Sequence, residues 1–212
     1  MALFQKKVVT TSSAPLYTLG LQKSLIVLGL GNIGRDYDGT RHNIGFKCID
    51  ELARKLDFPD WTLKKDLKCQ FTTQVVADTR IILVKPTTFM NLSGEAASAV
   101  GHFYKIAPDR FVVVHDELDI PFGQIRMRTG GSAAGNNGVQ SIIEHMGEEF
   151  NRVRVGIRNE IAQKADSANF VLGKFSKDEQ GHLPELLRET NAILSELIHG
   201  QQFTAETRSF LI

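Results

Sequence analysis

This sequence lacks any excess of charge of one sign: Lys and Arg number 25 against 24 for Asp and Glu, a formal net charge of +1. A chain drawn to a polyanion by its overall field would be strongly basic, so any nucleic-acid site here must be a local patch. Cysteine is scarce, with only Cys48 and Cys69. That excludes a disulfide scaffold and fits a reducing, cytoplasmic compartment. No apolar run approaches the length of a membrane span, so no membrane partner is expected. The histidines, cysteines and acids show neither H-E-x-x-H nor C-x-x-C spacing, and no metal or cofactor is expected. A G-x-S-x-G elbow is missing too, which removes the usual source of a serine nucleophile.

What is present is ordinary globular composition, 42% hydrophobic and 23% charged over 212 residues, enough for one domain with a substantial core. Residues 1–22 hold no acid and cluster Thr10, Thr11, Ser12 and Ser13 before Pro15. They are expected to form a disordered extension, a transit-like leader being the alternative, with a single α/β domain from 23 to 212.

Leu25 to Leu28 is an apolar run closed by Gly29, which reads as a strand buried on both faces. From Phe46, apolar residues recur at Ile49, Leu52, Ala53 and Leu56 as a helical stripe. Phe71 to Ala77 and Ile81 to Val84 read as an antiparallel hairpin, and Ser93 is expected to cap a helix reaching about Lys105. Phe111 to Val114 is the clearest buried strand and leads into His115, Asp116, Glu117, Leu118 and Asp119. In Gln124 to Arg128 and Arg152 to Arg158, alternation puts Arg126 and Arg128 on one face and Arg152, Arg154 and Arg158 on another. A glycine-rich loop, Gly130 to Gly138, precedes a short helix around Val139 to Met146. Leucines and isoleucines from 183 to 198 mark an amphipathic C-terminal helix, with a break expected near Pro184. The fold class expected is α/β, a single mixed sheet sandwiched between helices.

Three polar stretches follow predicted strands: Asn32 to Asn43, Thr87 to Ser93, and His115 to Asp119. In open α/β sheets that edge is where ligands bind, so the three loops meet if their strands are parallel neighbours. Gly29, Gly31 and Gly34 also satisfy G-x-G-x-x-G, with Asp50 as the acid of a dinucleotide site. Against that reading, Arg35 to Gly39 is turn-prone where the motif needs a helix. The competing chemistry is hydrolysis by activated water. His42 would take the proton, Asp116 would hold the other ring nitrogen, Asn91 would donate to an oxyanion, and Asn32 and Asn137 would hold an amide-rich substrate. The arginine faces are either solvated edge-strand charge or a phosphate clamp.

GLGNIG, TRHNIGF, KPTTFMNLSG, FYKI, HDELDIPFG, GG-x-x-x-G-x-NG and RVRVGI follow in that order. From about Ser24 to the C-terminal helix, the chain resembles the bacterial-type peptidyl-tRNA hydrolases. The resemblance implies a three-layer fold and a metal-independent, cofactor-free monomer that cleaves the ester between peptide and tRNA. It implies His42 as base, Asp116 as its partner, and Asn32, Asn91 and Asn137 as substrate- and oxyanion-binding groups. Met90 would line the peptide channel, Tyr37 would lie near the tRNA 3′ end, and Arg128 and Arg154 would clamp the 5′ phosphate. Two positions depart from the family pattern: Ile33 stands where proline is usual, and Asn136 where histidine is usual. A noncatalytic RNA-binding protein on the same scaffold is the alternative, and a dinucleotide enzyme the third.

Overall fold

The computed structural model describes residues 23–162, 166–200 and 202–210; the expected N-terminal extension, residues 1–22, lies outside them. In chain order the elements are β1 (Lys23–Gly29), α1 (Ile44–Lys55), β2 (Thr62–Lys64), β3 (Cys69–Val76), β4 (Thr79–Pro86) and α2 (Ser93–Tyr104). They continue through β5 (Phe111–Pro121), β6 (Gln124–Thr129), α3 (Asn137–Met146), β7 (Asn151–Arg158), α4 (Ser167–Leu172), α5 (Lys177–Ile198) and β8 (Thr207–Ser209). The strands form one sheet in the order β2-β3-β4-β1-β5-β7-β6-β8. Its centre, β4-β1-β5-β7, is parallel, and its flanks are antiparallel.

The continuous apolar runs are where a parallel sheet covered on both faces requires them. Along β1, Leu25 and Val27 pack with Ile49 and Leu52 of α1 and Leu186 and Leu194 of α5. Ile26 and Leu28 belong to the opposite layer, with Ala97 of α2 and Val139 and Ile142 of α3. Fully burying each such side chain contributes roughly 1.5–3 kcal/mol, so the two apolar layers fix the sheet between two helix pairs. The expected mixed sheet sandwiched between helices is the observed architecture.

Several boundaries moved for physical reasons. Ser93 does not cap α2 but is its first residue, because the tight turn Met90–Leu92 feeds directly into the helix and Ser93 already has helical angles. Pro184 does not break α5: Leu183 and Leu186, both buried, keep the helix on the sheet across the lost hydrogen bond. The acidic run His115 to Asp119 does not lie beyond its strand but within β5, which stays paired with β7 through Glu117. What ends is β1, at Gly29 opposite Val114, so this part of β5 overhangs its neighbour and its side chains still reach the carboxyl edge of the sheet. The short β2, β8 and α4 carry no pattern long enough to register in sequence.

The glycine motif has a packing origin. A Cβ on Gly29 would stand 2.5 Å from the carbonyl oxygen of Gly45, and one on Gly31 would enter the ring of Phe46. These glycines let the first turn of α1 sit directly on the end of β1. Gly34 leads into a single tight turn, Arg35–Tyr37, and Asp50 lies within α1, ion-paired to Lys85. No helix N-terminus follows Gly34 to receive a pyrophosphate, and the dinucleotide reading fails on that ground.

Candidate active site

Beyond β1 and β4, and along the overhanging end of β5, the three polar stretches meet around a cleft of about 800 Å³. Asn32, His42, Met90, Asn91, Asp116 and Asn137 all line it. Their convergence follows from topology: β4, β1 and β5 are adjacent and parallel, so the loops leaving their carboxyl ends share one edge.

His42 sits in the turn Arg41–Asn43 that starts α1, 8% exposed. Its Nδ1 lies 2.9 Å from both carboxylate oxygens of Asp116, itself 3% exposed. A carboxylate can only accept, so Nδ1–H is the donor and the lone pair of the neutral ring is on Nε2. Burial alone would lower the His42 pKa; the charge and hydrogen bond of Asp116 outweigh it and hold the pKa above the ordinary 6.5. Next door, Arg41 donates to Glu179 at 2.7 Å and to the Lys174 carbonyl at 2.7 Å, while its guanidinium lies against the Phe170 ring, 4.3 Å from the centroid. Glu179 also closes the capping box of α5 with Ser176. The backbone that presents His42 is thus fixed to the start of α5 by a buried ion pair.

The amide groups divide into held and free. Asn32 is locked by its neighbours: its N–H donates to Asn43 Oδ1 at 2.8 Å, its carbonyl accepts from Asn43 Nδ2 at 2.9 Å, and its Oδ1 accepts from Met90 N–H at 2.8 Å. The Asn32 Nδ2 amide takes part in none of these bonds, and Asn32 lines the cleft. Asn91 and Asn137 are exposed on the cleft wall. Asn137 is the first residue of α3, and the cap is Asn136, whose Oδ1 accepts from the N–H groups of Gly138 and Val139. Met90 is 4% exposed and forms part of the cleft floor. Tyr37 does not line the cleft; its ring stands edge-on to Phe89, centroids 6.3 Å apart, and Phe89 does line it.

Phe89, within the motif KPTTFMNLSG, is 52% exposed at the rim. The sequence does not show the support given by Asn43 or the contact of Asn136 with Asp116, at 3.1 Å from Nδ2 to Oδ1. The clue to Asn43 was its place beside His42; nothing in spacing pointed to Asn136.

The arginines form a second region. Arg126 stands opposite Arg154, and Arg128 opposite Arg152, with His115 of β5 in register with Arg154 on the other side. Arg152 is not a surface charge. It is 2% exposed, donates to the carbonyls of Ser132 and Gly131, and lies over the Phe150 ring at 4.6 Å. Burial, with Arg128 and Arg154 nearby, pulls its pKa down to about 10. Arg128 is exposed, its guanidinium packed where a Cβ on Gly131 would sit. Arg154 faces Glu117 at 3.7 Å, and Glu117 lines the cleft. Arg128 and Arg154 therefore lie outside the cleft, on the sheet face beside it.

A family model described as peptidyl-tRNA hydrolase matches residues 26–210. A peptidyl-tRNA hydrolase of Campylobacter concisus is 46% identical over 187 residues, covering 85% of this chain and 96% of that one. One from Rhizobium meliloti is 42% identical over 177 residues, covering 84% and 73%. The crystal structure of the Acinetobacter baumannii peptidyl-tRNA hydrolase superposes with a TM-score of 0.78 at 32% identity, covering 85% of this chain and 91% of that one.

Proposed function

Because the chain belongs to the peptidyl-tRNA hydrolase family, we propose that its hydrolysis of peptidyl-tRNA runs on His42 as general base. The observation that carries this reading is the His42 to Asp116 pairing, which commits Nδ1 to a carboxylate and leaves Nε2 as the basic atom. A water beside Nε2 gives up its proton to the ring and attacks the ester carbonyl. Asp116 stabilises the imidazolium that forms. The carbonyl oxygen becomes an oxyanion and accepts from the side-chain amide of Asn91. Collapse expels the ribose oxygen, which takes the proton back from Nε2, giving free tRNA and a peptide carboxylate.

Asn32 Nδ2 and the Asn137 side chain hold the peptide and ribose, with Met90 below them. Tyr37 and Phe89 offer aromatic faces to the unpaired 3′ end of the tRNA. Arg128 and Arg154 clamp the 5′ phosphate, the clamp standing on the arginine face next to the cleft. Base and oxyanion donor already account for water activation, so the reading needs neither metal nor cofactor. The reading takes the protein as a monomer. Cys48 and Cys69, both free and buried, suit the cytoplasm. Among the described residues, no helix is long and apolar enough to cross a membrane.

Release of peptide from a purified N-acetylaminoacyl-tRNA tests the function. His42→Ala should lower kcat by about 10³-fold while tRNA still binds. Turnover near that of the unaltered protein in this variant would overturn the base assignment.

A further inference from the structure

We propose that Asn136 is a positioning residue for the reaction, acting through Asp116. Its side chain is used at both ends. Oδ1 accepts from Gly138 N–H at 3.0 Å and Val139 N–H at 3.1 Å, capping α3. Nδ2 then faces Asp116, donating to Oδ1 at 3.1 Å and to the backbone carbonyl at 3.3 Å. The opposite amide orientation would set a carbonyl oxygen against a carboxylate and an amide N–H₂ against two N–H donors, so only one orientation is chemically possible. Asp116 Oδ1 is also an acceptor for His42 Nδ1, at 2.9 Å. A neutral amide, 9% exposed, thus fixes the carboxylate that fixes the base.

The same residue joins this pair to the rest of the cleft. Gly138 has no side chain where the Met90 sulfur packs, so the N-terminus of α3 presses on the turn that carries Asn91. Asn137, adjacent to the cap, is set by the same geometry. Ser or Asp would cap α3 as well, but neither supplies an N–H to Asp116. Asparagine is the residue that does both without adding a titratable group. A histidine there would add one. The other ionisable groups near Asp116 are Glu117, Asp119 and Asp166 on the cleft wall, His115, whose Nδ1 bonds to the Asp116 carbonyl, and Arg154 of β7 beside Glu117. Burial lowers the His115 pKa to about 4, so that ring stays neutral across the working range.

The inference rests on His42 acting as base, and the test separates the two. Asn136→Ser keeps the cap but is too short to reach Asp116. Its melting temperature should stay near that of the unaltered protein. Its kcat on N-acetylaminoacyl-tRNA should fall roughly tenfold, as expected when a reacting group is misplaced, with KM little changed. The acid limb of its kcat/KM profile should move to higher pH, because a carboxylate with one donor fewer binds the His42 imidazolium more strongly. Asn136→Asp, which caps at least as well, should also lose kcat and guards against a serine variant that folds poorly. Unaltered kcat and acid limb in either folded variant, beside an inactive His42→Ala protein, would overturn the role of Asn136 alone. An active His42→Ala protein would overturn the reading beneath it.

Discussion

The cleft and the arginine face lie on one sheet and differ in how far their polar groups are satisfied. In the cleft, hydrogen bonds hold two sets of side chains, His42 with Asp116 and Asn136, and Asn32 with Asn43. On the arginine face, the buried Nε atoms of Arg126, Arg152 and Arg154 have no hydrogen-bond partner, and Glu117 reaches Arg154 only at 3.7 Å. A reacting group must be held within a fraction of an ångström, and hydrogen bonds to neutral amides do that without neutralising the base. A phosphate clamp needs its charge unspent, so donors left open serve it better. Precision and available charge are separate requirements, and under the proposed reading the chain meets them in neighbouring places.

The sharpest break of this comparison is at Asn91, exposed in the cleft with its amide free. Asn91→Ala should cost about 10²-fold in kcat, the usual loss for an oxyanion donor, with no loss of fold. An effect confined to KM would place Asn91 in ground-state binding instead. Next comes Arg152, which shares a strand with Arg154 but commits two guanidinium nitrogens to backbone carbonyls. Arg152→Ala strands the carbonyls of Ser132 and Gly131 and should destabilise the protein by about 2 kcal/mol, measured by chemical denaturation. A variant as stable as the unaltered protein would show that the loop does not depend on it. Smallest in free energy are Arg128→Ala and Arg154→Ala. Each should weaken tRNA binding roughly tenfold and reduce the salt slope of log Kd by about one, leaving stability near normal. An unchanged salt slope would move the phosphate elsewhere.

Most of the fold is legible in period and punctuation, because the central strands are buried on both faces and the long helices are amphipathic. The stretches Asn32 to Asn43, Thr87 to Ser93 and His115 to Asp119 could be placed on one edge of the sheet on the condition that their strands are parallel neighbours, which β4, β1 and β5 are. Two things escaped. The length of β5 depends on its pairing with β7, a contact between distant segments that alternation cannot show. The different fates of Arg152 and Arg154 have the same cause: they share a face and a strand, but only Arg152 lies under the Gly131–Ser132 backbone. Asn136 was read as the loss of a histidine, and its bond to Asp116 appears only once α3 begins at Asn137.

The central claim, that Asp116 raises the basicity of His42 so that its Nε2 can take a proton from water, is tested most directly by the pH profile of kcat/KM. His42 must be neutral to act, so activity should fall as pH drops through its pKa, at a midpoint above the ordinary 6.5. His115, held down to about 4, does not contribute there. In Asp116→Asn the raising influence is gone and burial remains, so the remaining activity should be much lower and its acid limb should move to lower pH. An acid limb that stays in place when Asp116 loses its charge would contradict the account.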